Sequence, residues 1–414
     1  MNDLSDEQSL TSRIFNVTVI VASLGYFVDI YDLILFSVVR RPSLMSLGVT
    51  GDALLDKGIY LLNMQMYGML IGGIIWGILG DKKGRLSVLF LTILLYSLAN
   101  IANAYAQNLT QYAVLRFLAG LGLAGELGVG ITLVSEIMST RSRGYGTTLV
   151  GGIGILGAVL AFAVSRLFSW QDAYLVGGIL GLALLILRIL VRESGMFKKI
   201  KTRSASRGNF FMLFTSRERF FKYLYCILLG MPVWYVIGIL VTFSSEFAQK
   251  VFHITGTVNP GEAVMYHYIG ASLGSLLWGI ISQWLHSRKK SLWIALISLI
   301  VFGVAYFSAF GMSAFAFYLI IFLLGISQGY WIIFMTIATE QFGTNLRATV
   351  TTTVPNFVRG STILVTTVFA SLKVTQLGMW NAALITGVIC MGLSLFALYK
   401  LKETYGKDLD YVEE

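Results

Sequence analysis

Five ionisable side chains lie deep inside apolar stretches of the sequence. They are Asp29, Asp32, Arg116, Glu126 and Arg359. A charge near the centre of a bilayer costs about 2.5–3.5 kcal/mol even on the lenient insertion scale, so each is a candidate functional group. A desolvated carboxyl group can take up and release a proton near neutral pH, and a guanidinium group binds a carboxylate or phosphate through two parallel hydrogen bonds. These residue types predict proton binding and anion binding.

The acids are the candidates for proton coupling. Asp29 and Asp32 are three residues apart, nearly on one face of a helix, and like charges so placed tend to keep one proton between them. We predict that Asp29, Asp32 and Glu126 bind and release protons, with a fixed structural ion pair as the alternative for each. Arg116 and Glu126 lie about 15 Å apart along one helix axis, which is too far for a direct ion pair. We therefore expect one of them to pair with a residue of the first helix.

Arg359 is the strongest candidate for binding an anion. It stands ten residues into an apolar stretch, in the segment VPNFVRGS, where Pro355 and Gly360 can loosen a helix. Its guanidinium reaches neither membrane surface, so we expect it to bind an anionic ligand, to pair permanently with an acid, or to act in gating. Arg166 and Arg188, near the ends of their stretches, are expected to extend to the surface. The further candidates for ligand contact are Arg116, Tyr31, Tyr235, Gln328 and Asn356.

The overall composition is that of a membrane protein. Of 414 residues, 56% are hydrophobic and only 13% are charged, and the mean hydropathy is +0.75. Soluble domains carry about 25% charged residues, so soluble globular, disordered, collagen-like and disulfide-stapled proteins are excluded. The two cysteines lie in apolar runs and the three histidines lack metal-ligand spacing, so we expect no metal and no cofactor.

Apolar runs of about 20 residues, the length that crosses a bilayer, predict twelve transmembrane helices in two sets of six. The runs lie at 13–39, 58–80, 86–106, 110–135, 147–168 and 172–191, and then at 220–247, 262–285, 291–310, 313–337, 349–372 and 377–400. We predict an N-terminal six-helix bundle over 1–191, a basic linker over 192–219, and a C-terminal six-helix bundle with a short tail over 220–414.

The basic residues predict the orientation of these helices. The side with both termini and the linker holds 22 Lys and Arg residues, and the opposite side holds five. Cytoplasmic loops retain such residues, so we expect both termini to be cytoplasmic, in a bacterial inner membrane. The first twelve residues lack the features of a signal peptide, so the first helix is expected to be retained. The net charge of +10 is scattered over short loops, which argues against nucleic acid as a partner.

The two halves repeat each other. Gly72, Trp76 and Gly77 match Gly274, Trp278 and Gly279 at an offset of 202, and Glu136 with Arg143 matches Glu340 with Arg347 at an offset of 204. Parallel repeats of this kind are typical of transporters built from two six-helix bundles. A channel or a membrane-embedded enzyme does not require them.

The loop GDKKGR, between the second and third predicted helices, resembles the signature loop of the major facilitator superfamily. The segment RFLAGLGLAGE resembles a second signature of that superfamily, and Asp29-Ile30-Tyr31-Asp32 resembles an element of its metabolite:proton symporters. The resemblance implies an all-α membrane protein of twelve helices in two bundles that rock between outward-open and inward-open states. It also implies gating or conformational roles for Gly80, Asp81, Gly84, Arg85, Glu136, Arg143, Glu340 and Arg347.

The prediction is therefore a secondary active transporter. We expect proton-coupled symport of a small organic anion or zwitterionic metabolite by a monomer in the lipid bilayer. The alternative is a proton-driven exporter of a larger amphipathic compound, using the same carboxylates. A transporter-shaped receptor or a membrane enzyme is disfavoured, because the sequence shows neither a signalling domain nor a catalytic constellation.

Overall fold

The computed structural model describes residues 17–83, 85–126, 143–190 and 210–407, which are almost entirely helical. The α-helices are, in chain order, α1 Val17–Ser46, α2 Ala53–Lys83, α3 Arg85–Asn103, α4 Leu109–Leu123, α5 Arg143–Ile155, α6 Gly157–Leu167, α7 Trp170–Leu190, α8 Met212–Thr215, α9 Arg217–Tyr235, α10 Ser244–Lys250, α11 Pro260–Trp284, α12 Arg288–Phe307, α13 Ala314–Gln328, α14 Trp331–Glu340, α15 Thr344–Lys373 and α16 Gly378–Lys400. A π-helical segment, Val236–Val241, continues α9. The all-α class is confirmed.

The predicted spans correspond to these helices. In the described part of the chain, nine helical stretches are long and apolar enough to cross a membrane, and two shorter apolar helices lie in α3 and α4. The remaining predicted span is α15, which runs unbroken for 30 residues, so Pro355 and Gly360 do not interrupt it. The fifth and tenth spans each consist of two consecutive helices, α5 with α6 and α13 with α14. The fourth span, predicted to reach residue 135, can be followed to residue 126.

The first helix is longer than predicted. Its apolar run ends at residue 39, but α1 continues to Ser46 through Arg40, Arg41 and Pro42. Arg40 is fully buried, and its guanidinium donates to both carboxylate oxygens of Glu246, at 2.7 and 2.9 Å. The helix continues because the charge that ends the apolar pattern is neutralised by an acid from the second bundle.

The internal repeat is visible in the packing. Nε1 of Trp76 donates to the carbonyl oxygen of Leu121 at 2.5 Å, and Nε1 of the matching Trp278 donates to that of Ile326 at 2.7 Å. The second and fourth spans of each half therefore meet through the same indole contact.

The two bundles meet along α2 and α15 on one side and along α5, α6 and α11 on the other. The helices approach closely at Gly73, where any side chain would collide with Asn356 of α15. Asn63 of α2 also accepts a hydrogen bond from Thr366 of α15 at 2.8 Å. This packing brings α1 against the second bundle and sets Asp29 opposite Arg359.

The linker predicted over 192–219 lies outside the described residues up to position 209. Its last part is structured: α8 forms there, and Phe210 and Leu213 are buried. Following the predicted orientation, we call the end of the helices that carries Ser46, Asn103 and Lys250 the predicted outer end.

Candidate functional site

Arg359 and Asp29 face each other across the junction of the two bundles. Each lies near the middle of its 30-residue helix, and Nη2 of Arg359 is 3.6 Å from Oδ2 of Asp29. Both side chains are at most 1% exposed. Nε and Nη1 of Arg359 have no hydrogen-bond partner among the described residues. The Arg359 guanidinium has five N–H donors and contacts Asp29 only at long range. Its remaining donors could bind a second anion.

Aromatic side chains lie near this ion pair. Tyr26, one helical turn before Asp29, neighbours Arg359 and the indole of Trp331. Tyr268 of α11 lies within electrostatic range of both Tyr26 and Arg359. All three aromatic residues are buried. The sequence contained a signal for Tyr26, which shares a helix face with Asp29, but none for Tyr268, which comes from the other bundle.

Asp32 lies inside the first bundle rather than at the junction. It is fully buried, and neither carboxylate oxygen has a hydrogen-bond partner among the described residues. It packs directly against Gly177 of α7, where a side chain would displace its carboxylate. The structure therefore separates the two acids of α1: one faces the second bundle, and the other faces the core of its own bundle.

Arg116 does not form an ion pair with an acid of the first helix. Its Nη2 donates to Oε1 of Gln65 in α2. Its Cζ lies 5.2 Å from the ring centre of Phe36 and 5.6 Å from that of Tyr174, so two aromatic faces stabilise the charge. Asp32 is close enough to interact with Arg116 electrostatically, without direct contact.

Glu126 forms an ion pair with Arg188. Arg188 was expected to extend to the membrane surface, but it is buried and donates to both carboxylate oxygens of Glu126. The prediction for Arg188 is wrong because Glu126 of the fourth span provides a counter-charge inside the bundle. Arg166 is exposed, as expected.

The other candidates for ligand contact are bonded to backbone. The hydroxyl of Tyr31 donates to Ala173 at 2.8 Å and that of Tyr235 to Ala383 at 2.7 Å. Nε2 of Gln328 donates to Pro232 and Val233, next to the π-helical segment. Nδ2 of Asn356 donates to Ala124 at 2.7 Å, across the two bundles. These bonds give the four side chains structural partners within the protein.

The residues with implied gating roles are only partly described. Gly84 and Glu136 lie outside the described residues, as do the surroundings of Gly80, Asp81, Arg85 and Arg143, although these four are placed in helices. Glu340 ends α14, where it lies 3.5 Å from Arg288 and accepts a hydrogen bond from Thr404 at 2.6 Å. Arg347 donates to the carbonyl oxygen of Phe342.

Among the described residues, four ion pairs join the bundles at the predicted outer end. Arg40 binds Glu246, Arg41 lies 3.8 Å from the same carboxylate, Asp52 binds Lys250, and Asp56 binds Lys373 at 2.6 Å. The pair of Arg40 and Glu246 is buried, and Cζ of Arg40 also lies 4.6 Å from the ring centre of Phe243. Burial raises the pKa of Glu246, but the charge of Arg40 and hydrogen bonds outweigh it and hold that pKa below the ordinary value. The sequence predicted these basic residues on one side of the membrane but not their partners.

A family model of the Major Facilitator Superfamily matches residues 22–366. A protein of Bacillus subtilis (strain 168) named as a niacin/nicotinamide transporter, NiaP, is 26% identical over 352 residues, covering 82% of this chain and 84% of that protein. The benzoate transport protein of Acinetobacter baylyi (strain ATCC 33305 / BD413 / ADP1) is 29% identical over 203 residues, covering 47% of this chain and 42% of that protein.

Among solved structures, the proton:xylose symporter XylE from E. coli superposes with a TM-score of 0.73 at 16% identity, covering 97% of this chain and 98% of that chain. The similarity at that identity shows a shared fold. Because the family match covers most of the chain and the fold agrees over nearly its whole length, the chain belongs to the Major Facilitator Superfamily and is a transporter, not an enzyme.

Proposed function

We propose that this transporter carries a small aromatic carboxylate together with a proton. The observation that supports it most is the state of Arg359, a buried guanidinium with one acid at 3.6 Å and two nitrogens that find no hydrogen-bond partner in the described part of the chain. A carboxylate presents two acceptor oxygens that match such a fork. The aromatic residues Tyr26, Tyr268 and Trp331 would contact a flat ring attached to that carboxylate.

Substrate transport would be coupled to proton transport because the substrate carboxylate and Asp29 compete for Arg359. When a substrate carboxylate binds the guanidinium, Asp29 loses part of its counter-charge while it remains buried. An isolated buried carboxylate is costly, so Asp29 would take up a proton as substrate binds. Binding of the anion and binding of the proton are then favoured together, as symport requires.

The chemistry of the relatives' cargo agrees with this site. Niacin is a pyridine carboxylic acid and benzoate a benzene carboxylate, and both names occur among the relatives described above. The Bacillus subtilis relative is named for nicotinamide as well, a neutral amide with the same ring, so acid and amide must be compared directly. We propose that this chain takes a substrate of the same class. We also propose that the protein is a monomer of the bacterial inner membrane with both termini cytoplasmic, and that transport is directed inward.

Binding assays can test the role of the carboxylate. Nicotinate and benzoate should raise the melting temperature of the purified protein, because a ligand that binds only the folded state stabilises it. Nicotinamide and benzamide, which keep the ring but lack the acid, serve as matched controls and should bind at least about tenfold more weakly, a difference of 1.4 kcal/mol. If the amides bind as tightly as the corresponding acids, Arg359 does not recognise an anionic group on the substrate.

Substitution of Arg359 is the matching test on the protein. Arg359→Lys keeps the charge but loses the fork, so nicotinate affinity should fall about tenfold or more, and Arg359→Ala should nearly abolish it. Arg166→Lys, at an exposed position on α6, is the control and should bind like the wild type. If folded Arg359→Ala binds nicotinate with native affinity, Arg359 is a structural ion-pair residue.

A further inference from the structure

Helix α3 carries a row of buried polar side chains that form no side-chain hydrogen bond with the residues that the structure describes. Asn103 ends the helix at the predicted outer end, and Asn100 and Tyr96 follow inward at three and seven residues, on one face. All three are fully buried. Among the described residues, neither amide has a hydrogen-bond partner, and neither has the Tyr96 hydroxyl.

A buried polar group without a hydrogen-bond partner is costly, because it has lost its bonds to water and gained none. Ordered water molecules normally satisfy such groups, and each buried water typically makes about three hydrogen bonds. The helix rises 1.5 Å per residue, so Asn103 and Asn100 lie about 4.5 Å apart along the axis and Asn100 and Tyr96 about 6 Å apart. One or two water molecules can bridge each interval.

The row leads to Asp32. Asn100 neighbours the Asp32 carboxyl group, and Tyr96 lies within electrostatic range of both Asp32 and Glu126. At its other end the row lies next to solvent, because Tyr105 and Gln107, just beyond Asn103, are exposed. The charged and titratable groups that face Asp32 are Asp29, Tyr31, Tyr96, Arg116 and Tyr174, from α1, α3, α4 and α7.

The internal repeat provides a control for this feature. In the second bundle the positions 202 to 204 residues after Asn100 and Asn103 are Phe-Gly-Val at 302–304 and Ala-Tyr-Phe at 305–307. The positions equivalent to Asp32 are Trp-Tyr-Val at 234–236. The fold can therefore build this helix without amides, and the amides occur in the bundle that holds the acid.

We propose that Asn103, Asn100 and Tyr96 line a chain of water molecules that carries protons from the predicted outer end to Asp32, inside the first bundle and apart from the path of the substrate. This inference rests on the proposed proton coupling and adds the route by which the proton enters. Asp32 receives the proton from the water chain, and Asp29, about one helical turn away on α1, takes it up when substrate binds Arg359. Amide side chains would orient the water molecules, and the protons would move along the water. A second line of groups also reaches this region: Tyr112 donates to Ser43 at 3.2 Å, and its hydroxyl lies 2.8 Å from that of Tyr174.

The test compares two modes of transport in proteoliposomes with radiolabelled nicotinate. An imposed proton gradient drives uptake only when protons reach the coupling acid, whereas counterflow exchange at equal pH does not need net proton movement. The double variant Asn100→Leu with Asn103→Leu should slow gradient-driven uptake by about tenfold and leave counterflow unchanged. The matched double variant Asn100→Ser with Asn103→Ser keeps a polar group at each position and leaves space for water, so it should retain most of the wild-type rate.

Thermal unfolding separates this role from a structural one. The leucine side chains replace the amides together with the water molecules bound to them, and replacing both partners of a buried hydrogen bond with apolar groups of similar shape is nearly neutral or stabilising. The double variant should therefore melt at or above the wild-type temperature. A melting temperature that falls together with uptake and counterflow would overturn the proposal, since the amides would then hold the fold.

Three further results are decisive. Undiminished gradient-driven uptake in the double variant would overturn the route while leaving proton coupling intact. Loss of coupling in Tyr112→Phe with Tyr174→Phe, but not in the asparagine variants, would overturn it in favour of the hydroxyl line. If the rate of nicotinate uptake by the wild-type protein does not depend on the proton gradient, both the proposed function and the proposed proton route are overturned.

Discussion

At the scale of single residues, Asp29 and Asp32 have different surroundings although they lie one helical turn apart. Asp29 contacts Arg359 of the second bundle, whereas Asp32 is enclosed by helices of its own bundle and has no hydrogen-bond partner among the described residues. The same residue type thus has two environments, because Asp29 lies against the arginine of the second bundle and Asp32 lies next to the polar row of α3.

We expect Asp32→Asn to abolish nicotinate accumulation driven by a proton gradient while exchange of nicotinate across the membrane continues. The amide keeps the shape of the side chain but cannot bind or release a proton. Uphill uptake and counterflow in proteoliposomes are the measurements. Full accumulation in both Asp32→Asn and the double variant with Asp29→Asn would remove the first helix from the coupling mechanism.

Asp29→Asn should also change substrate affinity, which Asp32→Asn should not. Without the acid, Arg359 no longer has a competing partner, so nicotinate should bind about tenfold more tightly, the equivalent of 1.4 kcal/mol. Equilibrium binding of nicotinate to the purified variants provides the comparison. Weaker binding in Asp29→Asn would mean that Asp29 contacts the substrate itself and does not compete with it.

At the scale of the elements, Glu126 and Arg188 bind α7 to the end of the fourth span. We expect Arg188→Met to lower the free energy of unfolding by about 3–5 kcal/mol, because it leaves a buried carboxylate without its counter-charge. Glu126→Gln combined with Arg188→Met should recover most of that loss. Thermal unfolding in detergent measures both.

The exposed Arg166 supplies the control for this pair, since Arg166→Met should change stability by no more than about 0.5 kcal/mol. If Arg188→Met is as stable as that control, the two residues do not hold the helices together, and proton binding by Glu126 becomes the better explanation for its position.

At the scale of the whole molecule, four ion pairs among the described residues hold the two bundles together at the predicted outer end. Glu246→Gln weakens the buried pair with Arg40 and the pair with Arg41, so it should shift the population toward states open at that end. Spin labels at Ala53→Cys and Val374→Cys, two exposed positions in different halves, would report the separation. Native Cys226 and Cys390 are buried, which limits labelling to the introduced sites.

The pH dependence of this closure has a definite sign. Because the pKa of Glu246 lies below the ordinary value of 4.5 in the closed state, its contribution to closure is complete above that value and is lost only as the pH falls through the lowered pKa. We expect the distance between the labels to be constant from about pH 5 to 8 in the wild type. A distance that lengthens between pH 7 and 5 would show that another group controls the closure.

The apolar runs of this sequence determined the membrane spans, some of which consist of two consecutive helices. A segment of about 20 apolar residues has few stable states in a membrane other than a helix. A charged side chain is also costly in a membrane, so the sequence alone predicted a set of candidate functional residues. They are Asp29, Asp32, Arg116, Glu126 and Arg359. Neither inference depends on which helices become neighbours.

The partners of those charges were decided only by the tertiary structure. Arg188 and Arg40 looked like residues of the membrane surface, and each is buried against an acid from a distant part of the chain. Tyr268 lies within electrostatic range of Arg359 although nothing in its own helix predicts that position. Hydropathy describes the environment of one helix at a time, whereas an ion pair or an aromatic contact depends on which faces of two helices meet, and packing of the two bundles determines those faces.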